Sequence, residues 1–469
     1  MNKGNAIERY FVLYIPWCLS LLLQSTPILS YFVAWLGSIL IFYVSLSGWL
    51  KPLPTDRSIA DQLMRPIFLV QIIFIGYMAV SSIFYFFNLL GYENFHKSTD
   101  AFFTIDWQKL KLTAQCQRYY ALGHAAFVTG IVVFMKYPIE QKYYIEEEKL
   151  ANILFVTAFV SLPVSILFNT LPGLAQFYFQ FSSLSFIAGT LALAFAIPLK
   201  KLWNTIFCVL LYASNFYQAI TSGFKEPIII SVLVLGVFLY PNYKKLVLVI
   251  FIPALLLLFT FLPTYNRIFR QNAWAGDASS QEAYKLAVDA ALKNDQSADD
   301  SNWGFLVFRL SEVDMFTEFA QSTPQNVDYY GFKLLSQSAI AIVPRILWRS
   351  KPITEDLVME RVYDAGVIRR GSNVSAKPAF IVDTYLSGGT FGVFVGLFLY
   401  GAIAQLISMK AERLFGGYIL GTALIFSGLF QIFWRGLSFE FLINSVFWSY
   451  ITMLVVFRIL RHTRVLRAI

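Results

Sequence analysis

The chain has 469 residues, of which 57% are hydrophobic, 17% aromatic and only 14% charged. Soluble domains carry roughly 25% charged residues, so this composition excludes an ordinary soluble enzyme. The net charge of +9 comes from Lys and Arg placed between apolar runs, a pattern that orients membrane helices and argues against nucleic acid as a partner.

Window hydropathy gives about twelve candidate spans, at 10–23, 27–49, 67–90, 119–135, 150–169, 174–197, 202–220, 227–240, 246–262, 379–407, 414–433 and 437–457. About 20 apolar residues suffice to cross a hydrocarbon core of roughly 30 Å; the first and eighth runs are short and read as tilted or half-embedded. The first run follows Lys3 and Arg9 and leads straight into the second with no small-x-small site, so it reads as an uncleaved anchor. Cys18, Cys116 and Cys208 give no disulfide framework.

Cation placement predicts the orientation. With a cytoplasmic N-terminus, about 18 cations fall on inner segments and about 6 in short outer loops. The inner set includes Lys51, Arg57, Arg65, Lys136, Lys142, Lys410, Arg413 and the arginines of the tail; Arg118 counts with the outer set. Both termini are therefore expected in the cytoplasm, and 263–378 is expected outside as one nearly neutral loop between the ninth and tenth spans. Helix-forming composition at 281–292 and 305–320 makes that loop a structured insert, and a loop of this length usually carries function. The expected fold is an all-α polytopic membrane protein with three segments: a bundle at 1–262, an extracytoplasmic cap at 263–378, and C-terminal helices with a basic tail at 379–469.

The cap ends on Val343-Pro344-Arg345-Ile346-Leu347-Trp348-Arg349-Ser350-Lys351-Pro352. If Pro344 opens a helix, Arg345 and Arg349 share a face. A planar guanidinium matches phosphate by binding two oxygens at once. The same residues also suit an interfacial helix whose cations reach lipid headgroups, with Trp348 as its anchor. Thr221-Ser222-Gly223-Phe224-Lys225-Glu226-Pro227 places Lys225 and Glu226 at a membrane boundary, where ionisable groups line a cavity or pair with each other. Trp434-Arg435-Gly436 precedes the last span, with Glu440 close enough to satisfy Arg435. Arg309 and Glu312 are helix neighbours, and a structural pair is the default reading. Asp383 lies four residues into the tenth span, where it needs water or a partner; Gly388, Gly389, Gly392 and Gly396 after it permit close helix approach. His96, His124 and His462 are far apart, and no metal-ligand motif, Walker loop or dinucleotide fingerprint occurs, so no metal or cofactor is expected.

In order and context these motifs resemble the Wzy-like polymerases that build O-antigen, enterobacterial common antigen and exopolysaccharides. The resemblance rests on Ser222-Gly223-Phe224-Lys225-Glu226 opening a span, then a long loop closing on Pro344–Pro352. Gly388-Gly389-Thr390-Phe391-Gly392 and Arg435-Gly436 follow. It covers roughly the C-terminal half; Arg349 stands where the family often has Pro, and Phe224-Lys225 where an Arg-containing turn is common. It implies a GT-C-type membrane glycosyltransferase of the bacterial inner membrane, acting on undecaprenyl-pyrophosphate-linked oligosaccharides at the extracytoplasmic face. Arg345, Arg349, Lys351, Arg435, Lys225 and Arg309 would then stabilise the leaving pyrophosphate. Glu226, Asp383 or Glu312 would serve as general base. Membrane lipids, a flippase and a chain-length regulator are the candidate partners. A glycan ligase using the same donor, or a flippase or other transporter, are the competing readings.

Overall fold

Apolar segments in a membrane must satisfy their own backbone groups, and helices do this within one segment. A computed structural model of the chain describes all residues except 1–6, 60–61, 100–101, 172, 222–224, 241, 274–277, 293–296, 309, 372–374 and 417–437. The described chain is mostly helical. Its main helices are α1 (Ile15–Leu22), α2 (Pro27–Leu46), α3 (Ser82–Leu89), α4 (Trp107–Phe134), α5 (Glu147–Thr170), α6 (Tyr178–Ala196), α7 (Leu202–Thr221) and α8 (Lys225–Leu239). There follow α9 (Lys244–Ala273), α10 (Ser280–Leu292), α11 (Ser297–Phe308), α12 (Val313–Ser322), α13 (Lys333–Ile342), α14 (Thr354–Asp364), α15 (Phe380–Phe415) and α16 (Phe439–His462). The described strands form two two-residue ribbons, Tyr92–Glu93 with His96–Lys97 and Tyr143–Tyr144 with Arg467–Ala468, and no barrel.

Six described helical stretches are long and apolar enough to cross a membrane: Pro27–Leu46, Leu69–Leu89, Glu148–Thr170, Ala175–Ala196, Phe380–Phe415 and Phe439–His462. A seventh is added if Lys244–Leu258 and Thr260–Ala273, bent by 41°, make one span. Helices also occupy the other expected positions, but α1 has 8 residues and α8 has 15. The span expected at 414–433 falls largely outside the described residues.

Packing divides the chain into two compact units, a different partition from the topological segments read from hydropathy. One comprises Met1–Ser58, Met64–Lys142 and Leu306–Phe457; the other comprises Ile59–Leu63, Tyr143–Phe305 and Arg458–Ile469. In the second, α5 to α10 pack as sequential neighbours. There the Ser185 hydroxyl donates to the Ala158 carbonyl at 2.7 Å, and Tyr265 and Phe269 pack on Ala283 and Ala287.

The first unit is built on α4 and α15. A Cβ on Gly130 would run into the Phe398 carbonyl and one on Gly401 into the Phe127 carbonyl, so glycine lets these backbones touch. α2 packs along α4, where Tyr31 stacks on Phe86 with ring centroids 3.6 Å apart and bonds Ser82 at 2.7 Å. Within α15 the chain turns sharply at Gly388 and Gly389, and the φ of +60° and ψ of −138° at Gly389 suit glycine. The turn folds Phe380–Leu386 back on the rest of α15, so Thr384 meets Gly392 and Gly396. The glycines thus make both a reversal and a close contact, where the sequence predicted only the contact.

Candidate functional site

The 344–352 segment is the tip of a helical hairpin formed by α13 and α14. At the hairpin's base the Tyr330 amide donates to the Leu386 carbonyl at 2.8 Å, and the Tyr330 hydroxyl reaches Asp364 at 3.5 Å. Near the tip, Trp448 Nε1 of α16 donates to the Ile342 carbonyl at 3.0 Å. Trp448 is nine residues beyond the start of α16, roughly 14 Å along its axis. The end of α13 therefore lies against the middle of an apolar, membrane-length helix, rather than at its end.

The last carbonyls of α13 lack helical partners, as at any helix end. Lys351 Nζ donates to two of them, Ala341 and Val343, both at 2.8 Å, and is 5% exposed. Its ammonium is thus spent on holding the tip to α13. The Leu347 and Trp348 amides both bond the Pro344 carbonyl, which makes a single turn and not the helix on which Arg345 and Arg349 would share a face. Arg345 Nη2 donates to the Pro352 carbonyl at 3.2 Å, and Trp348 Nε1 donates to Ser350 at 3.0 Å. Arg349, Ile346, Leu347 and Trp348 are exposed. Among the described residues neither Arg345 nor Arg349 forms an ion pair.

Next to the hairpin is a fully buried triad. Arg361 of α14 donates through Nε and Nη2 to Asp383, both at 2.9 Å. It donates through Nη1 and Nη2 to Glu440, at 2.9 and 2.8 Å. Asp383 Oδ2 also accepts the Phe439 amide at 2.8 Å. Burial alone would draw the Arg361 pKa down, but Asp383 and Glu440 outweigh it and hold the value above the ordinary one. Both oxygens of Asp383 are engaged, which favours a structural role over the general base expected for it. The partner its position required is Arg361, and Glu440 bonds the same arginine.

A second triad lies toward the other end of α15, where Arg65 bonds Asp56 at 2.8 and 2.6 Å and Glu412 at 2.8 and 3.0 Å. The Tyr137 ring covers the guanidinium at 3.9 Å. Hydrogen bonds from Arg65 hold the Asp56 carboxyl below its usual range.

The other predicted residues are dispersed or outside the description. Glu312 precedes α12 and its carbonyl accepts the Phe316 amide at 3.0 Å. Lys225 and Glu226 begin α8, in the other packing unit, and their side chains lie outside the described residues, as do Arg309 and Arg435. Arg361 escaped the sequence reading because its partners are 22 and 79 residues away. Its charged surroundings, Met359-Glu360-Arg361, also resemble a solvated helix face.

A family profile described as a domain of unknown function, DUF8712, matches residues 15–468. The chain belongs to the DUF8712 family. No curated protein matches the chain. No solved structure matches it either. The DUF8712 match spans both packing units, so the hairpin, both triads and α15 all lie within the family domain.

Proposed function

We propose that this DUF8712 chain is a GT-C-type glycosyltransferase of the bacterial inner membrane. It joins lipid-pyrophosphate-linked oligosaccharide repeat units into a surface polysaccharide at the extracytoplasmic face. The observation that carries this reading is the hairpin tip, where Arg345 and Arg349 follow the end of α13 that Trp448 of α16 holds, with no carboxylate paired to either arginine among the described residues. Irregular backbone and charge at membrane depth belong to elements that line a polar cavity. In this reading about twelve spans, counted by hydropathy, leave both termini in the cytoplasm, and the cation bias supports that orientation.

The reaction breaks the bond between the anomeric carbon and the pyrophosphate oxygen and forms a glycosidic bond to an acceptor hydroxyl. The leaving pyrophosphate gains charge, which Arg345 and Arg349 offset, with Arg435, Lys225 and Arg309 as further candidates. Lys351 fixes the tip so that the arginines need no reorganisation as charge develops. The acceptor proton passes to a carboxylate, Glu226 or Glu312.

Purified protein in lipid vesicles, given a lipid-linked repeat unit, separates the readings. A ladder of multiples supports a polymerase; transfer only to an added acceptor supports a ligase; translocation without new bonds supports a transporter. Arg345→Ala is expected to lower polymer formation about a hundredfold while the melting temperature is unchanged. Polymer of normal length and amount from that variant would remove Arg345 from the reaction.

A further inference from the structure

Among the described residues three arginines are buried in the first packing unit, and they differ in how their charge is met. Arg65 and Arg361 each hold two carboxylates. Arg118 of α4 is 9% exposed, and no carboxylate among the described residues pairs with it. Its Nη1 donates to Ser30 Oγ at 2.8 Å. Ser30 is locked to Ser20 by mutual bonds: the Ser20 hydroxyl donates to the Ser30 carbonyl at 2.6 Å, and the Ser30 hydroxyl to the Ser20 carbonyl at 2.8 Å. One hydroxyl occupies one of the five N–H donors of a guanidinium. Buried charges in proteins are otherwise paired.

We infer that Arg118 is the seat of a lipid phosphate group, whose anionic oxygens supply the missing counter-charge. Ser20 and Ser30 orient the guanidinium from α1 and α2. The residues flanking them in the chain, Leu19, Leu21 and Leu29, are 49%, 39% and 51% exposed and apolar, and they offer a surface for the hydrocarbon part of the same ligand. A soluble anion would have no use for that surface. The site is separate from the hairpin tip and stands whether or not the chain is a polymerase.

The test uses the full chain, delipidated in neutral detergent, titrated calorimetrically with short-chain phosphatidic acid, the matching diacylglycerol and inorganic phosphate. Phosphatidic acid is expected to bind at least tenfold more tightly than inorganic phosphate, and diacylglycerol not to bind. Arg118→Gln is expected to weaken phosphatidic acid about tenfold or more, and Arg118→Lys to weaken it less, because a lysine keeps the charge but loses the fork. Wild-type affinity in a folded Arg118→Gln protein would overturn the site. Equal binding of diacylglycerol would overturn the phosphate, and equally tight inorganic phosphate would overturn the lipid. Ser30→Ala, which keeps the guanidinium, provides the result if Arg118→Gln does not fold. A several-fold loss supports the seat and unchanged affinity overturns it.

Discussion

The triads at Arg361 and Arg65 share one chemical plan, one guanidinium between two carboxylates, and differ in how far each is sealed. Asp383 and Glu440 have no exposed side-chain surface, and the Phe439 amide adds a further donor. Asp56 keeps 18% of its side chain exposed, and an aromatic ring rather than an amide completes the Arg65 site. Along α15 they are roughly 24 Å apart, counting from Gly396, on which Thr384 packs next to Asp383, to Glu412. The sealed triad joins α14, the reversed start of α15 and the first turn of α16. The open one ties loop residues to the other end of α15. A salt bridge in the interior acts mainly as a specification of which segments must meet, because its loss leaves charge without water.

The comparison can be broken or sharpened by substitution. Arg361→Gln leaves two buried carboxylates facing each other and is expected to destabilise by about 3–5 kcal/mol. Thermal unfolding in detergent would show it, and a shift no larger than that of Arg65→Gln would contradict the difference in sealing. Arg65→Gln is expected to lose less, about 2–3 kcal/mol, because water reaches Asp56. Lys351→Met strands two helix-end carbonyls at about 1–3 kcal/mol and should loosen the hairpin tip, read as faster amide exchange over 344–352. Tyr137→Leu removes the ring over Arg65 and should cost about 1 kcal/mol. The smallest effect is a pH dependence. The Asp56 pKa is depressed in the fold, so its stabilisation is complete above the ordinary carboxylate value of about 4 and is lost as pH falls through the folded value. Wild type should therefore lose melting temperature on acidification more steeply than Asp56→Asn, and parallel curves would refute the coupling.

Hydropathy made the helical membrane class and the position of most apolar helices legible, because 20-residue apolar runs carry that signal locally. The short helices at Ser297–Phe308, Lys333–Ile342 and Thr354–Asp364 carry no such run and were not legible. At Pro344 the first turn was legible, since proline fixes its own backbone, but the helix expected to continue to Pro352 does not form. The reversal at Gly388 and Gly389 was not, because a half-helix of Phe380–Leu386 is as apolar as the span it folds against. Nor was the hairpin's position beside α16, which depends on Trp448 reaching a carbonyl 106 residues earlier in the chain. Arg118 shows the reverse failure. Counted as a loop cation, it lies buried beside Ser30 because the adjoining residues of α4 pack against α2.

The touching backbones at Gly130 and Gly401 also have a mechanical consequence. Two helices in contact through their carbonyls leave no lubricating layer of side chains, so they cannot slide or swivel without rupture. α4 and α15 therefore act as a single strut within the first packing unit.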